Sequence, residues 1–162
     1  MTTAQRLLVL EGIAGLRADC DLLVIDAGVS TDLFFFAGIA DRLVLVMTAD
    51  RDSCRPSAAL LTALAARLPK IAIDVLVIGT ESDTDGLGAF ATLASLCPAT
   101  IAADLHYLGE IRFDRRVSTT GSAACRAEAF TGPETHEVAE RMAAQLLGSR
   151  AVPRYGLGAF LQ

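Results

Sequence analysis

Apolar residues follow two patterns along the chain, and together they predict alternating strands and helices. Four short segments rich in Val, Ile and Leu lack polar alternation, as strands covered on both faces do; they are Leu22–Asp26, Leu43–Thr48, Ile73–Gly79 and Tyr107–Phe113. Four longer segments carry apolar residues at helical spacing; they are Ala4–Leu16, Pro56–Leu68, Leu87–Leu96 and Glu134–Leu147. This order predicts an α/β fold with a parallel sheet of about four strands and helices on both faces. We expect one domain over residues 1–148 and a tail over residues 149–162.

The composition favours a large core and a surface that contacts another protein. Hydrophobic residues make up 52% of the chain, charged residues 20%, and the mean hydropathy is +0.46. No apolar stretch reaches the roughly 18 residues of a membrane span, so the excess points to buried strands or a partner surface. A net charge of −5 argues against nucleic-acid binding. No signal-peptide pattern opens the sequence, and we expect a cytoplasmic protein.

The cysteines and histidines do not suggest a metal site. The four cysteines, Cys20, Cys54, Cys97 and Cys125, lie far apart and form no Cys-x-x-Cys pair. This spacing is typical of buried single thiols and not of a zinc site or a disulfide framework. Neither His106 nor His136 lies in a pattern of ligand-type residues that would make a metal site.

Two motifs, one rich in glycine and one rich in acidic residues, resemble known binding loops but do not match them in full. Gly86-x-Gly88-x-x-Ala91 resembles a dinucleotide fingerprint, but the polar loop TESDTDG separates it from the preceding strand. Glu81-x-Asp83-x-Asp85-Gly86 resembles the start of a calcium loop, but its twelfth position holds Thr92 instead of a carboxylate.

One apolar segment, LLVID, ends in Asp26 and is followed by a glycine-containing loop. It is the first of four segments, LRADCDLLVIDAG, ADRLVLVMTADRDS, IDVLVIGTESDTDGLGAFATL and LHYLGEIRFDRRV. In this order they resemble the C-terminal half of a MinD/ParA-type (deviant Walker A) P-loop ATPase, closest to the flagellar-number regulators of the FlhG/FleN kind. The resemblance covers residues 4–147. It implies that Asp26 is the carboxylate on the magnesium side of the nucleotide.

The resemblance also shows what this sequence lacks. The family's phosphate-binding loop is absent, because no G-x-x-x-x-G-K-[ST] occurs. The loop after Asp26, AGVSTDLFFF, is about two residues shorter than the family's γ-phosphate-sensing loop. Without the phosphate-binding loop, most catalytic power is lost. We therefore expect no confident catalytic residue, with Asp26 vestigial, and no metal unless magnesium nucleotide binds there.

The nucleotide-reading positions have changed as well. By the resemblance they fall on Thr48, Ile78, Arg112 and Asp114. Ile78 replaces an asparagine that reads adenine, and Arg112 in GEIRFD replaces a proline, while Asp114 remains. An apolar side chain cannot make the hydrogen bonds of an amide to a base. We therefore expect no cofactor, and ATP with magnesium only if a partner chain supplies the loop.

The missing half predicts an interaction surface. In the complete family fold, the strand carrying the phosphate loop lies between those matching Leu22–Asp26 and Leu43–Thr48. We expect these two strands to pair directly, and the uncovered surface to be buried in a homodimer or by another protein.

Three classes of function follow. The protein is a non-catalytic interaction module with a regulatory role in flagellar or polar-organelle biology, an ATPase half that needs a separate chain, or a small-ligand binder at the sheet rim. The third class rests on acids expected at that rim: Asp26, Asp50, Glu81, Asp83, Asp85 and Asp114. Such a rim favours a cation over a phosphate. The tail, SRAVPRYGLGAFLQ, is broken by proline and glycine, and we do not expect it to dock on a membrane.

Overall fold

The computed structural model describes residues 1–17, 19–28, 32–68, 71–80, 85–112 and 133–148. Its helices are α1 (Thr3–Arg17), α2 (Leu33–Ile39), α3 (Arg51–Arg67), α4 (Asp85–Leu96), α5 (Ala99–Ala102) and α6 (Pro133–Gly148). Its strands are β1 (Arg42–Thr48), β2 (Ala72–Thr80) and β3 (Leu105–Arg112).

The strands form a parallel sheet in the order β1-β2-β3. Leu45 of β1 pairs with Val75 of β2, which in turn pairs with Tyr107 of β3. The register between β2 and β3 shifts after this point, because Leu76 pairs with Gly109 and Leu108 is left over as a bulge. The α/β class and the parallel sheet predicted from the sequence are confirmed, with three strands in the described residues where about four were expected.

The core lies between one face of the sheet and the helices α3 and α4. Side chains alternate between the two faces of a strand, so Val75 and Val77 point the same way and are fully buried. Leu61 and Leu64 of α3 and Leu93 of α4 are also fully buried. Packing against these helices therefore fixes which face of the sheet is interior.

The strand predicted at Leu22–Asp26 is wrong. This segment forms no strand, and Val24 has 78% of its surface exposed. The expected pairing with Leu43–Thr48 is wrong too, because β1 pairs only with β2 among the described residues. A buried strand needs a neighbour to satisfy its backbone, and apolar character alone does not supply one.

A short helix occupies part of the segment expected to be a loop. Helix α2 begins at Leu33. Arginine side chains of α1 and α3 stack on its phenylalanine rings. Arg6 of α1 lies 5.6 Å from the ring centre of Phe35, and Arg67 of α3 lies 4.1 Å from that of Phe34. The aromatic run FFF therefore serves packing between helices.

The predicted helices are confirmed, with small changes at their ends. The largest change is at α3, which begins at Arg51 and not at Pro56, because Asp50 caps the helix five residues earlier. Helix α6 packs against β3, where Met142 is buried. None of the described helices has the length and apolarity that a membrane span requires.

The thiols follow the prediction only in part. Cys54 and Cys97 are buried free thiols, whereas Cys20 is exposed, which corrects the expectation for that residue. Cys125, like the tail over residues 149–162, lies outside the described residues.

A buried ion pair joins β1 to β2 on the sheet face opposite α3. Asp74 is 2% exposed and accepts hydrogen bonds from Arg42 Nε at 2.8 Å and Arg42 Nη2 at 2.9 Å. The paired geometry of guanidinium and carboxylate compensates for burying the charge of Asp74 and part of the Arg42 side chain, which is 21% exposed.

Candidate functional site at the carboxyl ends of the strands

Helix α3 begins directly after β1, in a turn fixed by Asp50. The Asp50 carboxylate accepts hydrogen bonds from the hydroxyl of Thr48 and from the backbone N–H of Ser53, the latter at 2.8 Å. The Thr48 hydroxyl, and then the Ser53 N–H, hold the pKa of Asp50 below its usual value. The carboxylate thus satisfies one of the free N–H groups at the start of α3.

Helix α4 begins at the same rim and is capped from another strand. Oε2 of Glu110 on β3 accepts a hydrogen bond from the backbone N–H of Gly86 at 2.9 Å and from the hydroxyl of Tyr107 at 3.2 Å. Burial, and then the negative charge of Glu110, raise the pKa of Tyr107 to about 12. A carboxylate therefore ties the first turn of α4 to β3.

A cleft of about 440 Å³ opens between the starts of α3 and α4. Its lining consists of small and polar residues: Ala49, Arg51, Cys54, Gly79, Asp85, Gly88, Ala89 and Thr92. Cys54 also lines the cleft, and its single S–H can donate to the backbone oxygen of Asp50 at 3.6 Å or to that of Ala89 at 3.9 Å. Burial, with a smaller contribution from Asp50, raises the pKa of Cys54, so this thiol stays protonated.

The charges around the cleft do not suit a triphosphate. Helix starts attract anions because their N–H groups carry partial positive charge, but Asp50 and Glu110 already occupy these two. A phosphate group would find these N–H groups of both helix starts bound by carboxylates, and Asp85 and Arg51 are the charged residues that line the cleft. In the part of the chain that is described, no three His, Cys, Asp or Glu side chains are grouped so as to hold a metal ion.

The structure brings Thr48 and Ile78 together but not into the cleft. They are register partners at the ends of β1 and β2, and Ile78 also pairs with Ile111 of β3. Because Val77 belongs to the core shared with α3 and α4, Ile78 points to the opposite face. Thr48 and Ile78 therefore lie at the same end of the sheet as the cleft, but on the opposite face of the sheet.

The remaining predicted positions are scattered. Asp26 is exposed, and its Oδ1 accepts a hydrogen bond from the backbone N–H of Gly28 at 3.1 Å, away from any strand end. Arg112 is the last residue of β3 and is exposed. Asp114 lies outside the described residues, as do Glu81 and Asp83 of the expected acidic rim. Of that rim, Asp50 and Asp85 lie where the sequence places them.

Sequence reasoning missed Glu110 and Tyr107. They are joined to Gly86 across a separation of 24 residues, which no local pattern reveals. One feature of the sequence does point to Glu110, because it is a carboxylate in the middle of the apolar segment LHYLGEIR. A carboxylate in such a strand is partly buried and needs hydrogen-bond donors nearby.

Comparison with known proteins identifies no family for this chain. No family model matches it, and no curated protein matches it either.

Proposed function

We propose that this protein is a cytoplasmic, non-catalytic relative of the MinD/ParA ATPases, similar to FlhG, that acts as a regulatory interaction module. Its assignment to flagellar or polar-organelle regulation rests on the resemblance of the four quoted segments to that subgroup. Its partner is another protein or a second copy, bound at the surface that the half carrying the phosphate loop covers in the complete family fold.

The observation that carries the proposal is the open side of β1. Among the described residues, β1 is hydrogen-bonded to a strand on one side only. Val44 and Val46, on the face away from α3, are 38% and 52% exposed. An apolar edge strand readily pairs with another chain, and proteins usually protect such edges. A surface of this kind is better explained by a partner than by catalysis.

The geometry of the predicted nucleotide positions supports a non-catalytic role. Asp26 lies in an exposed turn with its carboxylate bound to its own chain, and the starts of α3 and α4 are bound by Asp50 and Glu110. A γ-phosphate with magnesium needs a carboxylate, a cation and free N–H groups at one place. The described residues do not offer that combination.

A second candidate, a small-ligand binder, is favoured by the cleft between α3 and α4. Ligands of parallel sheets bind beside the carboxyl ends of the strands, which is where this cleft lies. Asp85 is the carboxylate that lines the cleft, and it offers a ligand to a small cation. The third possibility, an ATPase half, rests on the resemblance alone and predicts magnesium-dependent hydrolysis when a chain carrying the phosphate loop is added.

The test is a titration with a fluorescent ATP analogue, first with magnesium and then with EDTA, followed by ADP competition. We expect no binding up to millimolar nucleotide. Magnesium-dependent binding in the micromolar range that ADP displaces would refute the non-catalytic assignment. In that case Asp26→Asn, with Asp19→Asn as the control on an exposed acid, shows whether Asp26 serves the nucleotide.

A further inference from the structure

The sheet face away from α3 is covered by a helix on one side only. Helix α6 packs against β3 there, where Leu108 and Met142 are buried. Beside β3, the apolar side chains of β1 and β2 on the same face are partly or largely exposed. We call these residues the uncovered face, and they are Val44, Val46, Leu76 and Ile78. Removing contiguous apolar side chains from water is favourable, so this surface is suited to a contact.

The tail, residues 149–162, begins beside this face. The more buried side chains of α6 lie four residues apart, at Val138, Met142 and Leu146, so the helix stays against the sheet almost to its end at Gly148. Neighbouring strands lie about 4.8 Å apart, which places β1 about 10 Å from β3. The far end of β1 is about 23 Å along the strand. The 14 residues of the tail span up to about 46 Å when extended, so they can reach all of the uncovered face.

The composition and charge of the tail suit the uncovered face. The tail sequence is SRAVPRYGLGAFLQ, and its larger apolar residues are Val152, Tyr155, Leu157, Phe160 and Leu161. It carries two of the 14 basic residues and none of the 19 acidic ones. Residues 1–148 therefore hold 12 basic and 19 acidic residues, a net charge of −7, and the tail has a charge of +2. Opposite net charges attract the tail to the rest of the chain.

We propose that the tail packs against the uncovered face of its own chain and occupies the surface offered to the partner. Tethering favours this occupant over a free protein, because a short flexible linker gives an effective concentration in the millimolar range. A partner must then displace the tail, which makes the tail an autoinhibitory segment. This deepens the proposed function, on which the regulatory role of the tail rests, whereas the packing itself is measured separately.

A single tryptophan in the tail tests the packing in the full chain, which contains no other tryptophan. With Phe160→Trp, we expect emission at shorter wavelength and slower quenching by acrylamide than in the same chain unfolded by urea. Adding Val46→Asp should shift the emission to longer wavelength and raise the quenching constant severalfold, because a carboxylate within the uncovered face opposes burial by an apolar segment. Val24→Asp is the matched control and should change neither value, because Val24 is 78% exposed and lies outside the sheet.

Trypsin gives a second readout, because it cleaves after arginine and the tail contains Arg150 and Arg154. Cleavage at these two sites, followed by mass spectrometry, should be slow in the wild type and severalfold faster in Val46→Asp, with Val24→Asp unchanged. Circular dichroism checks that each variant is folded. If Val46→Asp unfolds the sheet, Val46→Thr keeps the β-branched shape that suits a strand and should change both readouts less, in the same direction.

Two results would overturn this inference. One is a tryptophan as exposed as in urea, or readouts that folded Val46 variants leave unchanged. The other is protection of the tail that appears only as the protein concentration rises, because the tail then packs against a second copy. Nucleotide binding would instead overturn the proposed function and leave the protection of the tail unaffected, so the two failures are distinguishable.

Discussion

Gly86 and Gly88 both lie in the first turn of α4, yet replacement by alanine should have opposite effects at the two positions. A Cβ atom at Gly86 would lie 2.6 Å from the hydroxyl of Tyr107 and 2.8 Å from Cβ of Glu110, with the Glu110 carboxylate closer still. A Cβ atom at Gly88 would have nothing within 4 Å. The pair therefore isolates the contact between α4 and β3 from the general effect of removing a glycine.

The magnitude follows from three contributions. Alanine in place of glycine favours a helix by about 0.5–1 kcal/mol at either position. At Gly86, overpacking opposes this with about 1–3 kcal/mol. If Glu110 moves away to relieve the clash, its charged hydrogen bond to the Gly86 N–H, worth about 1.5–3 kcal/mol, weakens. We expect Gly86→Ala to destabilise the protein by about 1–3 kcal/mol and Gly88→Ala to stabilise it by about 0.5–1 kcal/mol.

Urea denaturation followed by far-ultraviolet circular dichroism measures both values from the transition midpoints. Combining Gly86→Ala with Glu110→Ala extends the test, because removing the carboxylate should shrink the added cost of the alanine. The reasoning is refuted if both alanine variants shift the midpoint in the same direction and by similar amounts. It is also refuted if the cost at Gly86 is unchanged without Glu110.

Three further outcomes are expected from the same unfolding assay. Asp74→Ala should lower the free energy of unfolding by about 3 kcal/mol, at the lower end for a buried pair, because it leaves the partly buried Arg42 side chain (21% exposed) without its partner. Replacing both residues by apolar ones should be close to neutral. Folding raises the pKa of Tyr107 to about 12. The protonated Tyr107 therefore contributes fully to the free energy of unfolding below pH 10, and this contribution is lost as the pH rises toward 12. The Tyr107→Phe variant should not show this loss of stability. Because folding lowers the pKa of Asp50, the contribution of its carboxylate is present above about pH 4 and is lost as the pH falls further, so the difference between Asp50→Asn and wild type should shrink in acid.

The sequence predicted the three strands found in the described residues, and each of them pairs with a neighbouring strand. Leu22–Asp26 shows the limit of that reasoning. Its composition matches Leu43–Thr48, but a strand is defined by hydrogen bonds to another strand, and the sequence does not state which segments pair. The resemblance led to the expectation of a pairing with β1 that the structure does not contain.

The candidate site was predicted in part for a similar reason. Thr48 ends β1, and Ile78 lies near the end of β2, as the predicted strands imply. The faces of these residues could not be predicted, because a strand that is apolar at every position gives no sign of which side meets the helices. The cleft lies on the side of Val77, and its walls belong to helix starts whose capping by Glu110 comes from a distant strand.

The ion pair between Arg42 and Asp74 determines the register of β1 against β2, which the apolar pattern of β1 does not determine. Every residue from Leu43 to Met47 is apolar, so sliding β1 by one position against β2 would still present apolar side chains to α3. The slide would carry Arg42 to the other face of the sheet and separate it from Asp74, which is buried and would lose both hydrogen bonds. The cost of leaving the buried Asp74 without these hydrogen bonds exceeds any small gain from packing Val44 or Val46 into the core. The ion pair therefore keeps the two valines on the face of the sheet away from α3.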